Sequence, residues 1–207
     1  MRAAAIGFSA LFTCLAASFA MAANYHEAVD GDLSSVAVSP TAWNLTAGAN
    51  TITGSAGTNH AAGTVDYDLL AFTVPAGHQL DSITILSYSN ESEFGASFFG
   101  LQADSPWYDG FGWNIGGYWL MGYAHVQASN VGTDLLPRIH ENAPPPEFTI
   151  PLPSGVYTML IEDIDTVNSY SLQFNVSAVP EPAGAALAAV AMAAVGSLRR
   201  RRSARSR

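Results

Sequence analysis

The chain reads as an all-β protein, an antiparallel β-sandwich or jelly roll, and three observations predict it. Short apolar runs that alternate with polar residues recur between Asn24 and Ala178, the period-two signature of strands buried on one face. Gly, Pro, Asn and Asp separate those runs, which is the chemistry of turns. No stretch in the interval keeps a helical repeat for three turns, so the layers must be sheet on sheet.

Taken in order, Val36-Ala37-Val38 and Thr51-Ile52-Thr53 are short strand candidates. Leu70, Phe72 and Val74 then alternate with Ala71 and Thr73, and Pro75-Ala76-Gly77 closes that strand. The chain returns over residues 80–88 with Ile83 and Ile85 on one face, and residues 96–101 and 118–126 supply two more strands. Phe148-Thr149-Ile150 is a short strand stopped by Pro151, which cannot donate to a ladder. Residues 156–161 form a further strand with Tyr157, Met159 and Ile161 on one face. The clearest alternation is the last, Tyr170, Leu172, Phe174 and Val176 against Ser171, Gln173, Asn175 and Ser177. The polar link from Glu162 to Ser169 predicts a hairpin between these final two strands.

Both ends of the chain read as targeting segments. Met1-Arg2 is a small cationic start, residues 3–19 are apolar, and Ala20-Met21-Ala22 places small residues where a signal peptidase reads, so residues 1–23 are expected to be a cleaved secretory signal helix. At the other end Val179-Pro180-Glu181-Pro182 precedes an uncharged run of 16 residues, 183–198, and then Arg199-Arg200-Arg201-Arg202. Pro180 and Pro182 hold the motif extended. The run is expected to form a transmembrane helix of ~24 Å, slightly short for a ~30 Å hydrocarbon core, and the arginines would hold the cytoplasmic side.

The division gives a signal peptide at 1–23, a β-domain at 24–178 and a sorting tail at 179–207. Charge follows it. The middle part carries 16 carboxylates against Arg138 alone, so its net charge is near −15 while the whole chain shows −9. Such a surface repels nucleic acid and anionic lipid. The chain's one cysteine, Cys14, lies in the signal segment, so the β-domain has neither a disulfide nor a thiolate metal site.

The tail resembles the PEP-CTERM sorting signal of exported proteins from Gram-negative, exopolysaccharide-producing bacteria, on Val179 to Pro182, the apolar run and Arg199 to Arg202. That resemblance implies processing by signal peptidase and an exosortase, transient anchoring in the inner membrane, and delivery to the cell surface or extracellular matrix. A second resemblance covers Asp66-Tyr67-Asp68, residues 72–77 and 80–86, Ser154 to Tyr157, and Tyr170 to Leu172. These are similar to the bacterial pre-peptidase C-terminal type of domain, which implies a small β-sandwich, in some members with calcium.

Catalytic patterns are not found. The β-domain has no Gly-x-Ser-x-Gly elbow, and His26, His60, His78, His125 and His140 show no zinc spacing. Carboxylate pairs for a glycosidase-like hydrolase meet in space, not in sequence, and no pair stands out. The expectation is therefore a non-enzymatic surface protein. Two candidate sites follow. Glu162, Asp163 and Asp165 crowd one loop, and Asp30-Gly31-Asp32 and Asp66/Asp68 are two further oxygen-rich turns; several such turns at one sandwich edge could supply the oxygens calcium needs. Trp107, Tyr108, Trp113 and Trp119 lie in a Gly-rich aromatic segment, suited to stacking on polysaccharide or to packing on the sandwich.

Overall fold

The computed structural model describes residues 22–90, 95–107 and 120–179. The expected terminal helices, with Ala20, Pro180, Glu181, Pro182 and Arg199 to Arg202, lie outside the described residues, as do Tyr108, Trp113 and Trp119.

The described chain is all-β, with ten strands in two sheets. The first sheet joins β1 (Asn24–His26), β3 (Gly48–Asn59), β10 (Val167–Ala178) and β6 (His78–Asn90) in that order, with β4 (Thr64–Asp66) also on β3. The second runs β2 (Thr41–Asn44), β5 (Asp68–Val74), β9 (Gly155–Glu162), β7 (Ser97–Ala103) and β8 (Leu120–Val126). Two short α-helices, α1 (Glu27–Asp30) and α2 (Leu135–His140), and a 3-10 turn (Ala128–Asn130) complete it.

The sheets are mixed, not wholly antiparallel, because β1 joins β3 and β2 joins β5 in parallel. Both exceptions are short strands of the N-terminal segment, one laid along an edge of each sheet as the segment crosses from the first to the second. The last two strands are not a hairpin either. β9 pairs with β5 and β7, whereas β10 pairs with β3 and β6, so the link at 163–166 arches from one sheet to the other. Strands β5 and β6 are joined the same way across Pro75-Ala76-Gly77, where Gly77 takes a φ of +74°. Period-two alternation tells which residues share a face and leaves the partner strand open. Residues 36–38 and 148–150 are not strands. Only a bridge from Leu152 to Leu80 forms near the latter, and Ala37 instead accepts a bond from the Trp107 backbone N–H.

Between the sheets lies one apolar core. Strand β10 turns Tyr170, Leu172, Phe174 and Val176 inward, where Phe174 meets Phe72 at 5.1 Å and Trp43 at 5.3 Å between ring centroids, and Tyr170 meets Phe99 at 6.2 Å. Helix α2 closes the side between β6 and β8. Asp134 caps it by accepting from Leu136 N, and the same oxygen accepts from Ile83 N on β6. Gly122 of β8 is needed there, since a Cβ would run into the Ile139 carbonyl. The outer edge of β8 is also covered: Arg138 donates to the His125 carbonyl and Asn142 to the Tyr123 carbonyl.

The two ends of the domain leave from one end of the first sheet. Asn24 stands beside Thr51 with the chain running parallel to β3, while β10 runs antiparallel and passes Gly48 at Val176. The described chain therefore enters at Ala22 and leaves at Val179 from the same end of this sheet. The contact of Tyr170 with Asp68 belongs to the opposite half of the sandwich.

Candidate metal centre and aromatic face

The N-terminal segment crosses the open side opposite α2, and its acids meet there. Glu27 sits in α1, Asp32 follows it, and Asp68 begins β5; each offers an oxygen within 4.8 Å of the others. Glu27 is held to the first sheet, accepting from Ser55 N at 2.8 Å and Leu33 N at 3.3 Å. Gly54 makes room for it, because a Cβ there would stand 2.6 Å from Glu27 Cδ and 2.7 Å from Tyr170 Oη. Asp66 lies alongside and accepts from Ser35 Oγ at 3.2 Å.

Asp68 is the unusual member. It occupies the inward register of β5, followed by Leu70, Phe72 and Val74, and is fully buried. Its Oδ2 accepts from Tyr170 Oη at 2.6 Å, but Oδ1 is buried with no hydrogen-bond partner. Burial, only partly offset by the Tyr170 bond, pushes its carboxyl up to about 9, with Glu27, Asp66 and Asp32 adding repulsion. Burial raises Glu27 and Asp66 as well, and Asp32 adds to both. A buried carboxylate of this kind needs either a proton or a cation. The donor set is oxygen only, which suits a hard cation such as calcium over a transition metal.

The loop candidate Glu162, Asp163 and Asp165 is not brought together in this way. Asp163 turns inward and its carboxylate is saturated, with Oδ2 accepting from Asn90 Nδ2 at 2.6 Å and Ser97 Oγ at 3.1 Å, and Oδ1 from the N–H groups of Asp165 and Thr166. Glu162 is on the other face of the second sheet, opposite Phe98, and Asp165 is exposed. Consecutive residues of an extended chain point apart, so the three cannot share an ion. Asp163 is instead the clasp of the β9–β10 arch. Asp163→Asn turns one acceptor into an NH2 donor that meets an N–H donor in either orientation, Asn90 Nδ2 on one side or the Asp165 and Thr166 amides on the other, and is expected to cost about 2–3 kcal/mol in urea unfolding.

Of the aromatic candidates, Trp107 is described, and it is 6 % exposed. It packs with Leu69 and Leu160 on the outer face of the second sheet, where Gly100 leaves space for its ring. Its chain is fixed by the bond to Ala37, while Gln102 donates to the Pro106 carbonyl. Trp107 is thus a packed residue. Trp107→Ala is expected to cost about 3 kcal/mol, as large aromatic truncations do, and a melting change equivalent to under about 0.5 kcal/mol would return it to the list of exposed binding residues.

The Asp30–Asp32 and Asp66/Asp68 turns are legible in the sequence, whereas the meeting of Glu27 with Asp32 and Asp68 is not. The signal is modest: Glu27 lies five residues before Asp32, and Gly54 is a glycine inside a strand, a mark of close approach. Among the described residues no helix is long and apolar enough to cross a membrane. The chain matches no family model, no curated protein and no solved structure.

Proposed function

We propose that this chain is an exported, exosortase-sorted surface or extracellular-matrix protein, non-enzymatic, whose β-domain is locked by a calcium ion held by Glu27, Asp32 and Asp68. Signal peptidase and exosortase are its partners during export, and polysaccharide is its partner afterwards. The observation that carries the cation is the orphaned Asp68 Oδ1, buried among carboxylates. What supports the address is the agreement of two boundaries. The first strand begins at Asn24, the last ends at Ala178, and the exposed Val179 that follows opens the sorting motif. Both ends point the same way, so a domain with a signal helix before it and a span after it can hang from one membrane.

A hydrolase using Glu27 and Asp68 as its carboxylate pair is the weaker reading, because Asp68 is fully buried and cannot face a sugar. Intact-mass measurement on surface-exposed protein tests the address. The expected species starts at residue 23 or 24 and ends near Pro180 to Pro182, and one that still carries Arg199 to Arg207 would overturn it.

A further inference from the structure

The outer face of the second sheet carries a line of side chains outside the acidic cluster, of which Tyr67 and Phe98 pack at their base against Leu69, Trp107 and Leu160. Asp68 pairs with Ile161, so Tyr67 falls beside Glu162. Glu162 pairs with Phe98, and Phe98 pairs with His125. Tyr67, Glu162, Phe98 and His125 thus stand in one row across β5, β9, β7 and β8, a row ~14 Å long at the usual strand spacing. Tyr123 widens it, stacking on Phe98 with centroids 5.5 Å apart and planes 22° from parallel, and His125 meets both rings edge-on at 6.0 and 5.7 Å. Trp107 forms the floor, and Gly100 is what lets Phe98 and Trp107 approach, since a Cβ would stand 2.7 Å from Phe98 and 3.2 Å from Trp107. Tyr67, Phe98, Tyr123 and Glu162 are half-buried and His125 is exposed.

The row combines flat rings with an unneutralised carboxylate. Among the described residues the recorded ion pair joins His140 to Glu147, not to Glu162. Burial and the neighbouring Asp163 push the Glu162 carboxyl up, and burial raises the Tyr67 phenol, with the Glu162 charge adding to it. A carboxylate set between aromatic rings attracts an ammonium group, which gains both charge pairing and the ring faces. The domain's charge near −15 draws cationic polymers and repels acidic ones before contact. A straight row on a sheet face fits an extended chain better than an isolated small molecule. Rings also favour partners with flat C–H faces, which a pyranose offers and a lysine side chain does not.

We infer that the Tyr67–Glu162–Phe98–His125 row is a docking surface for a polysaccharide that bears free amino groups. Sugar rings lie on Phe98 and Tyr123, and an ammonium sits by Glu162. This rests on the reading of the chain as a protein of the extracellular polymer layer and names the class of polymer. The row lies in the half of the sandwich away from the two chain ends, on the side a tethered domain presents outward.

The test is titration of the full chain, in detergent and about 0.15 M salt to suppress non-specific attraction, with three probes: a glucosamine hexamer, its fully N-acetylated counterpart, and a lysine hexamer. The glucosamine hexamer is expected to bind, with the other two at least about tenfold weaker. Glu162→Gln is expected to weaken binding by about tenfold without changing the melting temperature, and Tyr123→Ala to weaken it comparably. Equal binding of the lysine hexamer, no binding of glucosamine, or an unaffected Glu162→Gln each overturns the inference. Those outcomes leave the proposed address and cation site standing, because these are read by mass and by melting, and neither involves Glu162.

Discussion

Stripped of divalent cations, the domain is expected to lose stability as the pH rises from about 4 towards about 9. Asp68 is the reason. An aspartate in the unfolded chain releases its proton near ~3.9, whereas the folded domain holds that of Asp68 up to about 9. A carboxyl raised on folding stabilises fully below its unfolded value, and the benefit drains away up to its folded value. The slope reaches at most ~1.4 kcal/mol per pH unit for one proton. Glu27 and Asp66 are shifted in the same direction and steepen it. In the proposed site calcium would replace the proton as the partner of these oxygens. Its stabilisation should therefore be small near pH 4 and reach about 3 kcal/mol at neutral pH when calcium is a hundredfold above its Kd. Thermal melting with chelator, calcium or magnesium across this range checks the result. Asp68→Asn should flatten the chelated profile and abolish the calcium response. An equal shift from magnesium means relief of overall charge only, and a calcium response that survives Asp68→Asn would sink the site.

The second large effect belongs to Phe174. It is fully buried and touches Trp43 of β2 and Phe72 of β5, so its ring joins both sheets at the centre. Phe174→Ala is expected to cost about 4–5 kcal/mol in urea unfolding, because the lost transfer energy is compounded by a cavity that neither sheet can close. Phe174→Leu keeps most of the volume and should cost under about 2 kcal/mol. A loss below about 1 kcal/mol for the alanine variant would mean that the sheets are not packed around this ring.

Legibility along the chain followed the physics of exposure. Strand β10 was plain because its outer residues are polar and its inner ones apolar, and one wet face is what makes a period visible. Strand β5 was harder to bound. Leu69 and Ala71 are buried on its outer face as Leu70 and Phe72 are on its inner one, so its apolar run has no polar counterpoint, and Asp68 was read as a turn residue when it is the strand's inward-facing start. At the β9–β10 connection the sequence predicts a hairpin where the chain makes an arch, because arches and hairpins use the same polar residues. What separates them is where Asp163 points, and that depends on Asn90 and Ser97, far away in sequence. Residues 148–150 have strand composition but no strand to pair with. The acidic cluster was half legible, since spacing shows which acids lie in one turn and only topology shows which turns meet.

The covered edge of β8 has a consequence of its own. Unpaired strand edges are templates on which identical chains grow into threads, and the hazard rises with crowding. Here the domain's single arginine is placed against that edge, at the His125 carbonyl, with Asn142 beside it at Tyr123. Copies crowded together would then meet at β8 as separate beads, and any cohesion across that edge would have to come from whatever they jointly hold.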